Sequence, residues 1–60
     1  TMNNNKLAQI KINEEIKNLM EKTKRLVDLT DDSRFIGDLV SLYTFLEKFS
    51  LEVEKEIEND

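Results

Sequence analysis

Few of the side chains in this chain could do covalent or metal chemistry. Asp28, Asp31, Asp32 and Asp38 lie close enough in sequence to gather a hard cation, which takes oxygen ligands. Their spacing matches no calcium-binding loop, and short carboxylates beside Thr30 and Ser33 more simply bond the local backbone, so no metal site is expected. Ser33, Ser41 and Ser50 carry hydroxyls that could attack a substrate, but a serine needs a base and the chain has no histidine. With no cysteine either, zinc sites, disulfides and Cys–His nucleophiles are excluded. A single glycine cannot build a phosphate-cradling loop. We therefore expect no catalytic residue, no metal and no cofactor, and a chain that is not an enzyme.

The elements that position the remaining side chains must come from 60 residues, 38% hydrophobic and 37% charged, with no proline. That length is one small domain. A core this small, without metal or disulfide, is commonly completed by oligomerisation, so a homodimer with a shared core is expected. No apolar run exceeds two residues, so no membrane span or secretory segment is expected and the location reads as cytoplasmic. The abundance of Asn, Lys, Ile and Glu suggests an AT-rich genome, such as a low-GC bacterium, its plasmids or its phages.

Residues 1–5 read as a loose polar start. In Lys6–Asn13, Ala8, Ile10 and Ile12 alternate with Leu7, Gln9 and Lys11, which is strand periodicity. Asn13 then suits a helix N-cap, with Glu14 and Glu15 in the first turn. The competing reading carries one helix back through Ile12, because Ile12, Ile16 and Leu19 also keep helical spacing. The break is Asp28–Ser33, and Asp32 or Ser33 caps a second helix. That helix carries Phe35, Ile36, Leu39, Val40, Leu42, Tyr43, Leu46, Phe49, Val53 and Ile57, with Phe45 on one flank. So broad a stripe implies contact with more than one neighbouring helix. Charge is uneven: residues 1–29 sum to +2 and residues 30–60 to −6, giving the overall −4. The acidic excess gathers at Glu52, Glu54, Glu56, Glu58 and Asp60.

The run Ile10-Lys11-Ile12-Asn13-Glu14-Glu15-Ile16, followed by Leu19 and Met20, resembles the opening of the ribbon–helix–helix family of repressors. Ser33 with Phe35, Ile36, Leu39, Val40 and Tyr43 resembles the second helix of that family. The resemblance covers residues 6–46 and implies an all-α dimer with one short N-terminal β-strand per chain, paired into a two-stranded ribbon. It implies a dimer core of Ile10, Ile12, Ile16, Leu19, Phe35, Ile36, Leu39, Val40 and Tyr43. It also implies that Leu7, Gln9 and Lys11 enter the DNA major groove, where Gln suits adenine and Lys suits guanine. The amides near Ser33 and Arg34 would hold a phosphate, making the chain a small DNA-binding transcriptional regulator. Residues 47–60 would be an acidic extension for a protein partner. The turn lacks the usual glycine, Asp31 and Asp32 stand where a phosphate would dock, and the net charge opposes DNA affinity.

The alternative is an antiparallel helical hairpin, with helices near residues 5–29 and 33–59, pairing into a dimeric four-helix bundle. It brings basic residues of the first helix alongside the glutamates of the second and gives Phe49, Val53 and Ile57 a neighbour. Such a protein would bind and regulate another protein, with Phe45, Glu52, Glu54, Glu56 and Glu58 as the contact residues.

Overall fold

The computed structural model describes residues 4–59 and consists of two helices, α1 (Asn4–Leu29) and α2 (Ser33–Glu58), each 26 residues long. They run antiparallel in a hairpin with extents of 48 × 14 × 11 Å. Nothing in either stretch interrupts a helix: proline is absent, and Gly37 points where an added Cβ would meet nothing within 4 Å.

The turn is Thr30-Asp31-Asp32. At its start the Thr30 amide donates to the Leu26 carbonyl at 3.1 Å, closing α1. Asp32 is the N-cap of α2, in extended conformation at φ −92° and ψ 113°. Its carboxylate accepts the Arg34 amide at 2.9 Å, and its carbonyl accepts the Phe35 and Ile36 amides at 3.0 and 3.1 Å. No described residue has positive φ, so the turn has no position that requires glycine. At the far end Asn59 closes α2 through its amide to the Lys55 carbonyl at 3.0 Å.

The strand expected over residues 6–12 is absent, and the described residues contain no strand. The ribbon–helix–helix resemblance is therefore overturned, because that fold is defined by a two-stranded ribbon. Asn13 is not an N-cap but lies in the middle of α1, where its amide group faces α2. The physical reason is local. A helix satisfies the backbone of residues 6–12 within one chain, whereas a lone strand leaves those groups unpaired until a second chain arrives. Residues 47–58 also continue α2 without a break and supply the packing surface for this part of α1. Of the loose start expected for residues 1–5, residues 1–3 lie outside the described residues, while Asn4 and Asn5 belong to α1.

The helices meet along one line. From α1 it takes Gln9, Asn13, Ile16, Met20, Thr23, Val27 and Thr30; from α2, Ile36, Leu39, Tyr43, Leu46, Ser50, Val53 and Ile57. Steps of three and four alternate on both, the seven-residue repeat of a coiled coil. Among the described residues only Ile16 (4% exposed) and Leu46 (8%) are buried apolar residues, with Thr23 and Ser50 as the buried polar ones. Thr23 donates to the Leu19 carbonyl at 2.7 Å, which satisfies its hydroxyl within its own helix.

Backbone chemical shifts provide a direct check on the corrected segment. Residues 7–12 should give helical ¹³Cα shifts continuous with those of residues 14–28, and extended shifts at Ile10 and Ile12 would contradict the hairpin.

Candidate functional site

A second seven-residue register runs beside the contact line. It consists of Ile12, Ile16, Leu19, Thr23 and Leu26 on α1, and of Phe35, Leu39, Leu42, Leu46, Phe49 and Val53 on α2. The contact line carries Gln9, Asn13, Thr23, Thr30 and Ser50, while the second register is apolar at every position except Thr23. The most apolar stripe of each helix is thus rotated away from its neighbour. A two-helix contact needs no such offset, but a four-helix bundle does, because each helix there faces two neighbours at once.

Both stripes are rotated toward the same side of the hairpin. At about 100° per residue, Ile12, Leu19 and Leu26 trail the α1 contact line by roughly 60–100°, and Phe35, Leu42 and Phe49 trail that of α2 by roughly 40–80°. Two right-handed helices running in opposite directions turn in opposite senses when viewed from one end. Residues that trail the line on both helices therefore emerge on one face. The residues that lead the line meet on the other: Lys24 and Val27 line a groove with Val40 and Tyr43, and Asn13, Glu14 and Lys17 line one with Glu54, Ile57 and Glu58. Lys17 spans that charged face to Glu54 at 3.1 Å.

The apolar face has three rungs. The Asn13–Ser50 bond fixes the level of the helices, and from it Ile12 falls near Phe49, Leu19 near Leu42 and Leu26 near Phe35. The rungs repeat every seven residues, about 10 Å apart. All six side chains are open to solvent in the single hairpin, from 41% at Phe49 to 56% at Phe35. Phe45, 64% exposed, stands at the outer margin of the face with its ring 6.3 Å from that of Phe49. Contiguous apolar exposure of this kind marks an interaction surface.

The expected core residues are divided among three surfaces. Ile16 is buried, and Ile36, Leu39 and Tyr43 are half-buried on the contact line. Ile12, Leu19 and Phe35 lie on the apolar face. Ile10 and Val40 border the grooves of the charged face. A strand would have put Ile10 and Ile12 on one side, whereas two steps of a helix put them about 200° apart.

The residues expected to read DNA are arranged along α1 as helical surface. Leu7 is exposed, Gln9 donates to Glu56 at 3.0 Å, and Lys11 approaches Glu15 of its own helix at 3.9 Å. Ser33 is exposed at the start of α2. The Arg34 amide caps onto Asp32, and its guanidinium donates to the same carboxylate at 3.1 Å from Nε and 2.7 Å from the terminal nitrogen. The guanidinium also stands 5.9 Å from the Phe35 ring centre. The anion at this helix terminus is therefore the chain's own Asp32. Among the described residues no three carboxylates are placed to share a metal ion, and no helix is long and apolar enough to cross a membrane.

Three polar side chains missed by the sequence reading organise the open end of the hairpin. Ser50 donates to Asn13 Oδ1 at 2.6 Å, Asn13 Nδ2 donates to Glu54 Oε1 at 3.3 Å, and Lys17 completes the set from the charged face. A seven-residue count back from Val27 and Met20 would have placed Asn13 on the contact line. Of the other expected contact carboxylates, Glu56 holds Gln9, Glu52 lies beside Phe45 and Lys48, and Glu58 borders the groove near Ile10.

Lys17 and Asn13 hold the Glu54 carboxyl below its usual range, and the Arg34 side chain and amide do the same for Asp32. The folded chain thus binds these protons less readily than the unfolded chain. The stability they contribute is present above the ordinary carboxylate values of 4.5 and 3.8 and is lost as pH falls through the depressed folded values. Urea midpoints should therefore be lower for Glu54→Gln than for wild type at neutral pH. The gap should close as the solution is acidified below about pH 4.5, and a gap independent of pH would contradict the assignment.

Comparison with known protein families, characterised proteins and solved structures finds no match to this chain.

Proposed function

We propose that the chain is a non-enzymatic protein-interaction module, a helical hairpin that pairs with a second copy through its apolar face into a four-helix bundle. The dimer then binds and regulates another protein. The observation that carries this reading is the second apolar register, rotated to the same side on both helices. The pairing buries Ile12, Leu19, Leu26, Phe35, Leu42 and Phe49 beside Ile16 and Leu46, turning a single contact line into a shared core.

Surface area supports the same reading. The chain exposes 4939 Å². A compact protein of 7.1 kDa exposes about 4,100 Å². The excess is close to the roughly 800 Å² that each partner contributes to a standard interface. Chemistry on a substrate has no comparable support. The buried hydroxyl of Ser50 is committed to Asn13, and no histidine or cysteine exists to form a nucleophile–base pair.

The dimer leaves the outer side of α2 open. Phe45 with Lys48 and Glu52 beside it, and the glutamates toward the end of α2, suit a target that presents an apolar side chain ringed by lysines or arginines. With the ribbon absent, no reading of DNA through Leu7, Gln9 and Lys11 is proposed, and the net charge of −4 works against phosphate binding.

Sedimentation equilibrium tests the pairing. Wild type should sediment as a dimer. Leu19→Ala removes a buried leucine from each copy, a loss of roughly 3–6 kcal/mol across the symmetric interface, and should weaken dimerisation about 10²–10⁴-fold. Leu51→Ala, at a side chain 55% exposed on the opposite face of the hairpin, should leave the dimer unchanged. A monomeric wild type would contradict the reading.

A further inference from the structure

We infer that the charged face is a docking surface for a basic amphipathic helix of the target protein, anchored by two apolar side chains fourteen residues apart. The inference rests on the reading of the chain as a protein-interaction module and names a further surface and a partner chemistry for it. It does not depend on the pairing, because this face lies on the side of the hairpin away from the apolar one.

The two grooves of this face are the same place in the seven-residue repeat. Ile10 and Asn13 of one become Lys24 and Val27 of the other, fourteen residues further along α1. Ile57 and Glu54 likewise become Tyr43 and Val40, fourteen residues back along α2. The grooves therefore stand about 21 Å apart. Their volumes, about 240 and 270 Å³, fall below the roughly 300 Å³ at which small-molecule pockets begin, so each suits one side chain of a larger partner. The station between them is polar: Lys17 reaches Glu54 at 3.1 Å, and Glu47 stands at the same position of the repeat as Glu54 and Val40. A helix lying along the hairpin with a matching repeat meets the three stations at i, i+7 and i+14. The target thus carries apolar residues at the outer two and a polar one between them.

Charge sets what surrounds those anchors. Among the described residues twelve are acidic and nine basic. Six of the acidic ones belong to this face, with Glu14, Glu21 and Asp28 along its α1 margin and Glu47, Glu54 and Glu58 along α2. Three of the basic ones, Lys6, Lys17 and Lys24, lie on or beside it. The remaining surface is balanced at six of each, so the acidic excess of the described residues falls entirely here. Among the described residues Glu21, Asp28 and Glu47 form no ion pair. Lysines or arginines on both flanks of the docked helix would meet these carboxylates at the rim, where charge governs encounter and the choice of partner. The same excess repels nucleic acid and anionic lipid.

A synthetic helix tests the inference. The probe is a fluorescent alanine–lysine peptide of about 20 residues, roughly 30 Å of helix, with two leucines fourteen residues apart and a glutamine midway. Titrated with the wild-type chain and read by anisotropy, it should bind. Exchanging one leucine with the glutamine keeps the composition and should weaken binding roughly 10–100-fold, as expected for one leucine left unburied. The variant Glu47→Lys with Glu58→Lys should weaken binding about 10-fold. Asp38→Lys with Glu52→Lys makes the same change of charge at exposed positions on the side of Phe45, and should change binding less than about 3-fold. Absence of binding, equal affinity for the two peptides, or equal loss from the two variants would each overturn the inference. A loss confined to the Asp38 and Glu52 variant would overturn it while leaving the chain an interaction module that uses its Phe45 side. Sedimentation of the Glu47 and Glu58 variant should match wild type, so the pairing is read separately.

Discussion

Two helices that touch along one line can bury only one stripe each, and this chain carries two. The hairpin uses the stripe that contains Gln9, Asn13, Thr23 and Ser50, leaving the more apolar one, Ile12–Leu19–Leu26 and Phe35–Leu42–Phe49, on its open face. The division of the surface follows from that offset. It explains why, among the described residues, only Ile16 and Leu46 are buried apolar residues in the single hairpin, and why one face is apolar while the other is crossed by Lys17 and Glu54. In the proposed pairing it also gives 60 residues a larger core than one hairpin can bury, since the second copy would complete it.

The polar residues on the contact line have a separate role. An apolar seven-residue repeat permits helices to slip by one repeat at little cost, whereas a polar pair inside it is satisfied at one alignment only. Ser50 and Asn13 are such a pair, and the reach of Asn13 and Lys17 to Glu54 ties the alignment to the charged face. The capped turn sets the other end through Asp32, whose carboxylate and carbonyl together occupy the first amides of α2. The two ends thereby fix the level of the rungs, and a face with level rungs is what a second helix pair can dock against.

Much of the fold was legible in the residues. Equal helices near 5–29 and 33–59 in the alternative reading, a break within Asp28–Ser33, a cap at Asp32 or Ser33 and the breadth of the α2 stripe all follow from helical periodicity and capping chemistry. The segment around Ile10 was not legible, because three apolar residues at spacing two fit a strand and also the margin of a helix. Its state is decided by the backbone bonds a helix makes for itself together with what α2 offers opposite, the latter a fact about residues more than forty positions away. Asn13 was misread for the same reason: the side chain that suits a cap also suits a polar pair, and only Ser50 across the hairpin distinguishes them. The apolar face was present in the seven-residue spacing of Leu19 and Leu26 with Leu42 and Phe49. That these lie on one side became visible once the helices were known to be antiparallel.

The central claim is that the apolar face is covered in solution. Relaxation of methyl and ring protons by a soluble gadolinium chelate measures it residue by residue in the unmodified protein. The account predicts that Leu19, Leu42 and Phe49 are as protected as Ile16 and Leu46, while Leu7 and Leu51 remain strongly relaxed. Relaxation of Leu19 and Leu42 as strong as that of Leu51 would contradict it.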